Sequence, residues 1–239
     1  MDKLKSGAAR LGIELDASQL QQFETYYREL AAWNERVNLT AVTDCAEVQL
    51  KHFLDSLTVA AALPPVNTVK PLNIIDVGTG AGLPGLPLKI AFPGINLTLL
   101  EATAKKIRFL RYLVETLGLQ DVTILNGRAE EVAHQPQYRE KFDVVLSRAV
   151  APLPTLVELT LPLCAVGGCA VAQKKGDIAL EMEKSQKAVI MLGGHWREVK
   201  PVTLEELDDG RCLVIIDKVS ATPAPYPRRP GMPEKRPII

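Results

Sequence analysis

NIIDVGTGAGLPGLPLKI, residues 73–90, reads as a strand that ends in an acid, then a glycine loop, then the start of a helix. Asn73 to Val77 is a short apolar run rich in β-branched residues, the pattern of a strand covered on both faces. Gly78, Gly80, Gly82 and Gly85 follow, and Leu86 to Phe92 takes up helical spacing. Glycine there lets the backbone turn at positive φ and lets a ligand lie against the main chain. This is the cofactor end of a doubly wound α/β fold.

Two cofactor classes compete for the loop. From Gly80, GAGLPG satisfies G-x-G-x-x-G, the dinucleotide fingerprint, with Glu101 about twenty residues on for a ribose. From Asp76, the letters spell Asp-x-Gly-x-Gly-x-Gly, the pattern associated with S-adenosylmethionine (SAM) enzymes. A dinucleotide places its pyrophosphate against a helix N-terminus, where Asp76 would oppose it. SAM has no phosphate and brings a sulfonium and an ammonium, which an acid suits. A glycine turn that binds nothing is the third reading.

Strands and helices alternate outward from this loop. Strands are predicted at 73–77, 96–101, 122–126, 142–147, 167–173, 196–202 and 211–219, with helices at 84–92, 103–117, 152–163 and 177–192. That alternation implies a seven-stranded, mostly parallel sheet with helices on both faces, and an antiparallel hairpin of the last two strands at one edge. Residues 1–68 form an N-terminal helical extension, with Ser18 as the cap of a helix near 19–34 and a further helix start at Thr43 to Ala46. Pro64 to Pro71 is the hinge, 69–220 the cofactor-binding domain, and 221–239 a proline-rich basic tail expected to be non-helical and extended on the surface.

The 239 residues are 47% hydrophobic, enough for a sizeable core, and 28 basic residues balance 28 acidic ones. Any polyanion must therefore be met by local patches. Cys45, Cys164, Cys169 and Cys212 show no C-x-x-C pairing, and three histidines give no metal cluster, so reduced thiols and no metal are expected. There is neither an apolar signal region nor a membrane span, which reads as a soluble, cytoplasmic protein.

Glu101 ends the second strand, where a carboxylate accepts ribose hydroxyls or serves the following helix N-terminus, which Thr103 caps. Ala129 and Glu130 lie after the third strand, near an adenine position. The fourth strand, FDVVLSRAVAPL, lacks both the Asn/Asp-Pro-Pro-aromatic turn of exocyclic amine methylation and a nearby cysteine nucleophile. An acceptor with its own lone pair, such as guanine N7, needs neither. Catalysis is then alignment, with Arg148 as the positioning residue and no general base; its alternative is a salt bridge at a strand end. Lys105, Lys106, Arg108 and Arg111 on one helix, Lys174 and Lys175 after the fifth strand, and Arg228, Arg229, Lys235 and Arg236 in the tail are candidate RNA contacts. His52 and Asp55, three residues apart, read as an interdomain hydrogen bond rather than a catalytic dyad.

Six segments in order, NLTAVTDCAEVQLKHFLDSL (38–57), DVGTGAGLPGLPLKI (76–90), LLEATAKKIRFL (99–110), GRAEE (127–131), FDVVLSRAVAPL (142–153) and YPRRPGMPEKRP (226–237), resemble the bacterial 16S rRNA guanine-N7 methyltransferase family RsmG, formerly glucose-inhibited division protein B. The resemblance implies a Rossmann-like SAM-dependent methyltransferase fold and SAM as donor. The acceptor it implies is the guanine at position 527, in the 530 loop of 16S rRNA in the small ribosomal subunit. Carried over by position, cofactor contacts fall on Gly78, Leu83, Glu101, Ala102, Thr103, Ala129, Glu130 and Arg148. Many relatives have phenylalanine at the position of Leu83. A monomer is expected. The rival readings are a nicotinamide-dependent reductase, a non-catalytic ribosome-assembly factor and a small-molecule methyltransferase.

Overall fold

A computed structural model describes residues 1–64, 70–207 and 209–239. The boundary expected at residue 68, and residues 65–69 of the expected hinge, lie outside the described residues. The N-terminal segment comprises α1 (Asp2–Arg10), α2 (Ala17–Val37) and α3 (Cys45–Val48), which runs through a π-helical stretch (Gln49–Leu54) into α4 (Asp55–Leu57) and a 3₁₀ turn (Thr58–Ala62). There follow β1 (Asn73–Val77), α5 (Gly85–Ala91), β2 (Asn96–Glu101), α6 (Ala104–Thr116), β3 (Val122–Asn126) and α7 (Ala129–Val132). The chain continues through β4 (Phe142–Arg148), α8 (Leu153–Thr160), β5 (Cys164–Lys175), α9 (Ala179–Met191), β6 (Gly194–Pro201), β7 (Arg211–Lys218) and α10 (Met232–Lys235).

The strands form a seven-stranded sheet in the order β3-β2-β1-β4-β5-β7-β6. Only β7 runs antiparallel to its neighbours. The expected hairpin exists, but β7 is inserted between β5 and β6, so β6 is the edge. The composition explains this: Cys212–Ile216 is continuously buried, whereas β6 alternates exposed charges with partly buried residues. Chain connections leave β1 and β4 in opposite directions, which opens a crevice at their carboxyl ends, the ligand position of such sheets.

Side chains alternate between the two sheet faces. Ile74, Leu97, Leu99, Val144, Leu146 and Leu213 join the cluster under α1, α2, α5 and α6. Ile75, Val77, Val145, Ala170, Val214 and Ile216 join the cluster under α7, α8 and α9. The N-terminal helices are thus part of one core face. Phe23 and Tyr26 stack near Phe53, with ring centroids 5.1 and 5.0 Å apart, and burying each such ring contributes roughly 1.5–3 kcal/mol.

The cap of α2 is Asp16, not Ser18. Asp16 accepts from the Gln19 amide while Gln19 accepts from the Asp16 amide, a reciprocal capping box. The Gln19 Nε2 donates onward to the Ile90 and Ala91 carbonyls at the end of α5, and Gln22 Nε2 donates to Leu117 O at the end of α6. One helix therefore satisfies the orphan carbonyls of two others.

The tail also departs from the sequence expectation. Pro233 sits in the first turn of α10, where its missing N–H costs nothing. Thr222, Pro227, Pro233 and Ile238 are buried, so the tail is docked rather than laid loosely on the surface.

Candidate active site

The glycine loop is tied from beneath. Asp76 is fully buried; its Oδ2 accepts from the Thr79 hydroxyl at 2.6 Å and from the Gly85 amide at 2.9 Å. Burial pushes its carboxyl up to about 6, against the opposing pull of those two hydrogen bonds and of the nearby Arg148 charge. Asp76 is therefore not an open anion facing a ligand, as the sequence suggested. It is a charge beneath the crevice, with Oδ1 carrying no protein partner. Its bond to Gly85 also occupies the first amide of α5, the group that a dinucleotide pyrophosphate requires. The geometry disfavours the GAGLPG reading for that reason.

Above Asp76, Gly78 turns at φ +69° on the exposed side of the loop, and a Cβ there would meet Val150 at 2.9 Å. Gly82 turns at φ +96° under Tyr26 and Leu86. Tyr26, buried in α2, donates its hydroxyl to Ala81 O at 2.6 Å. Leu83, 6% exposed, packs in the cluster that holds Tyr26, Ala81 and Leu86.

Glu101 leaves β2 beside the loop, 6% exposed. Its Oε2 accepts from the Gly80 amide at 3.0 Å and its Oε1 from the Thr103 amide at 2.8 Å. Thr103 is the N-cap of α6 but makes no side-chain cap bond; its own amide is held by Glu101. Each Glu101 oxygen keeps a further lone pair for a ligand hydroxyl. Ala102 and Thr103 are exposed along the rim, while Ala129 and Glu130 open α7 in buried positions. The Glu130 Oε1 accepts from the Gly231 amide, so the tail holds this residue in place. A positive-φ glycine loop, a carboxylate with spare acceptors and an apolar Ala129 shelf fit SAM.

On the other side, Arg148 leaves β4 toward the N-terminal segment. Its Nη1 donates to Asp55 Oδ2 at 2.9 Å and to Lys51 O at 3.2 Å. Arg211, from the start of β7, pairs with Asp55 Oδ1 at 2.9 Å, so one buried carboxylate holds two guanidiniums. The salt-bridge alternative for Arg148 is therefore also real. These groups line a cleft of about 420 Å³ with Lys51, His52, Gln173, Lys174 and Lys175. His52 and Asp55 do not bond to each other. The His52 Nδ1 meets Lys51 O at 3.0 Å and so carries the proton, leaving Nε2 to accept from the Thr40 hydroxyl at 2.6 Å. Burial, and then Arg148, lower His52 to about 4. Gln173 donates to Asp55 O at 2.7 Å.

Sequence reading missed Tyr26, Arg211 and Gln173. Tyr26 was hidden in an apolar helical stripe, and the other two come from strands far along the chain. An acid in the otherwise apolar run FLDSL was the available signal for the Asp55 bridge. Among the described residues no cluster of His, Cys, Asp and Glu could hold a metal, and no helix is long and apolar enough to cross a membrane.

The model of the family described as rRNA small subunit methyltransferase G matches residues 19–207. Proteins called ribosomal RNA small subunit methyltransferase G are similar end to end. The one from Dehalococcoides mccartyi (strain CBDB1) is 53% identical, with all of both chains covered. The one from Roseiflexus sp. (strain RS-1) is 48% identical, again with all of both chains covered. That of Limosilactobacillus reuteri (strain DSM 20016) is 46% identical over 99% of this chain and 98% of the other. Two solved structures share the fold. A mutant of MtNAS in complex with S-adenosylmethionine has a TM-score of 0.56 at 15% identity, covering 91% of this chain and 77% of that one. The ribosomal protein L11 methylase from Lactobacillus delbrueckii subsp. bulgaricus has a TM-score of 0.52 at 14% identity, covering 71% and 79%. With the glycine loop, the Glu101 carboxylate and the β4 arginine in one crevice, the chain belongs to the rRNA small subunit methyltransferase G family.

Proposed function

We propose that this protein transfers a methyl group from SAM to N7 of a guanine in 16S rRNA, at position 527 in the 530 loop. The observation that carries the choice of acceptor atom is the state of the groups beside Arg148. Both His52 nitrogens are engaged, Asp55 is closed between two guanidiniums, and burial raises the thiol of Cys212, which pairs across the sheet with Lys174. No side chain there is poised to take a proton or attack a ring. Guanine N7 asks for neither, because its lone pair is already free.

When bound, SAM supplies an electrophilic methyl group. Glu101 accepts from ribose hydroxyls, Gly78 gives the backbone close approach, and Leu83, Ala102, Thr103, Ala129 and Glu130 shape the adenosine side. Arg148 orients the reacting partners from the crevice floor, fixed by Asp55. Holding donor and acceptor in line can contribute about 7–11 kcal/mol. The base must be splayed from its loop to reach this depth. In this reading the chain divides into an N-terminal extension (1–68), whose helices up to Ala62 form one wall of the crevice, a SAM-binding domain (69–220) and a docked tail (221–239), in a cytoplasmic monomer.

The test is transfer of labelled methyl from SAM to 30S subunits and deproteinised 16S rRNA that lack the modification, with 7-methylguanine mapped by borohydride/aniline cleavage. One labelled guanine at position 527 is expected. SAM binding without label on either RNA would refute the guanine-N7 assignment.

A further inference from the structure

Basic side chains around the carboxyl rim fall into two groups that composition does not distinguish. On the β5–β7 side, Lys174 pairs with Glu181 at 2.7 Å, Lys175 with Asp209 at 2.8 Å, and Arg211 with Asp55 and Asp209. On the β2–β3 side and the tail, Lys105, Arg128, Arg229, Lys235 and Arg236 are all exposed. None of the five has a carboxylate within 4.0 Å among the described residues. Exposed Glu131 and Glu234 lie on the same stretches without pairing to them, so the band keeps a net charge of +3, five cations less two anions.

The band is continuous and fixed. Asn126 Nδ2 donates to Glu101 O and Ala102 O, which sets the start of α7, with Arg128, beside the start of α6, with Lys105. Gly231 N on Glu130 then joins α7 to the tail. Arg228 anchors that tail: its main-chain amide and guanidinium all bond to the buried Glu158, and Pro233 O accepts from Thr155. The cations of the tail are therefore displayed on a rigid segment beside the cofactor edge.

We infer that the rRNA backbone crosses the α6–α7–tail side of the rim, with phosphates on Lys105, Arg128, Arg229, Lys235 and Arg236, and that Lys174 and Lys175 are structural. Cations already paired have little left to exchange for a phosphate, whereas unpaired ones release counterions on binding. The inference rests on the rRNA methyltransferase reading.

The test is the affinity of the full-length protein for deproteinised 16S rRNA over a series of KCl concentrations. Each lost phosphate contact lowers the slope of log K against log[salt] by about 0.7–0.9. The variant R229Q/K235Q/R236Q should lose about 2 to 3 from that slope, and K105Q/R128Q, on different elements, about 1.5 to 2. K174Q/K175Q should stay within about 0.5 of the parent. SAM affinity and urea midpoint should not move in the tail variant, because among the described residues its altered side chains bond to nothing. A tail variant with the parent's slope, or a K174Q/K175Q variant losing as much as the tail variant, would overturn the inference. A parent protein that neither binds the RNA in a salt-dependent way nor methylates it would instead defeat the rRNA reading itself.

Discussion

Replacing Arg228 with alanine isolates what the tail clamp contributes. In the native protein the Glu158 side chain is fully enclosed, and Arg228 meets both its oxygens at 2.6–3.2 Å. The Arg228 side chain is 26% exposed. Removing it leaves a buried carboxylate with the Arg228 main-chain amide as its remaining bond. Breaking one side of a buried pair costs roughly 3–5 kcal/mol, and the partly solvated guanidinium puts this case at the lower end, about 3 kcal/mol. In urea unfolding followed by circular dichroism, that loss appears as a lower midpoint at unchanged slope. For a chain of this size it lowers Tm by about 6–12 °C. Because the same tail segment holds Glu130 through Gly231, SAM affinity measured by calorimetry should fall several-fold as well. A second variant separates the charge from the packing. Arg228→Met with Glu158→Met removes both ions, and should recover most of the loss because no uncompensated charge remains. A single variant within about 0.5 kcal/mol of the parent, or a double variant no better than the single, would show that this pair does not hold the tail.

Three further outcomes are expected. Tyr26→Phe strips the hydroxyl from Ala81 O, leaves a buried carbonyl unpaired and should cost about 1–3 kcal/mol; SAM affinity should drop with it, and an unchanged calorimetric Kd would separate α2 from the cofactor loop. Glu101→Gln puts an amide NH₂ against the Gly80 or Thr103 amide, donor to donor, so SAM affinity should fall at least about tenfold; fluorescence or calorimetric titration reads it. His52, near 4 when folded against about 6.5 unfolded, binds fewer protons in the native state. Its contribution is therefore complete above pH 6.5 and lost as pH falls toward 4, up to about 3 kcal/mol. Asp76, raised to about 6, acts with the opposite sign between about 6 and 4. His52→Gln should accordingly flatten the acid-side fall of the urea midpoint relative to the parent; identical pH profiles for the two proteins would contradict the buried-neutral imidazole.

Much of this fold is legible in local pattern, because short apolar runs bounded by turn and helix signals announce strands. Asn73–Val77, Asn96–Glu101 and Val122–Asn126 fall where the sequence places them. Strand β5 begins at Cys164 rather than at 167 because it continues upstream past Gly167, at φ +91°, with a register shift against β4 that local pattern does not announce. The one-turn helix in the tail was concealed by prolines, whose effect depends on whether they fall at a helix start or inside it. In the site, Glu101 and the glycine loop were readable because strand, acid, loop and helix are contiguous. The bridge of Asp55 to Arg148 and Arg211 was not, because the three come from distant chain segments that meet only through the sheet. Lys174 and Lys175 show the converse: a basic pair on the carboxyl edge of the sheet looks free in the sequence, yet each has a carboxylate partner, Glu181 and Asp209.

The crevice is closed by bonds that reach far along the chain: Tyr26 to Ala81 spans 55 residues, Asp55 to Arg148 spans 93, and Asp55 to Gln173 spans 118. Contacts of such separation form late, since the loop-closure entropy is lost before they return anything. During synthesis the N-terminal helices emerge first, yet Phe23, Tyr26 and Phe53 have no sheet to cover until the central strands follow. A nascent chain therefore carries an exposed aromatic face for most of its elongation, and its methyl-donor pocket gains its final brace only when β7 delivers Arg211 to Asp55.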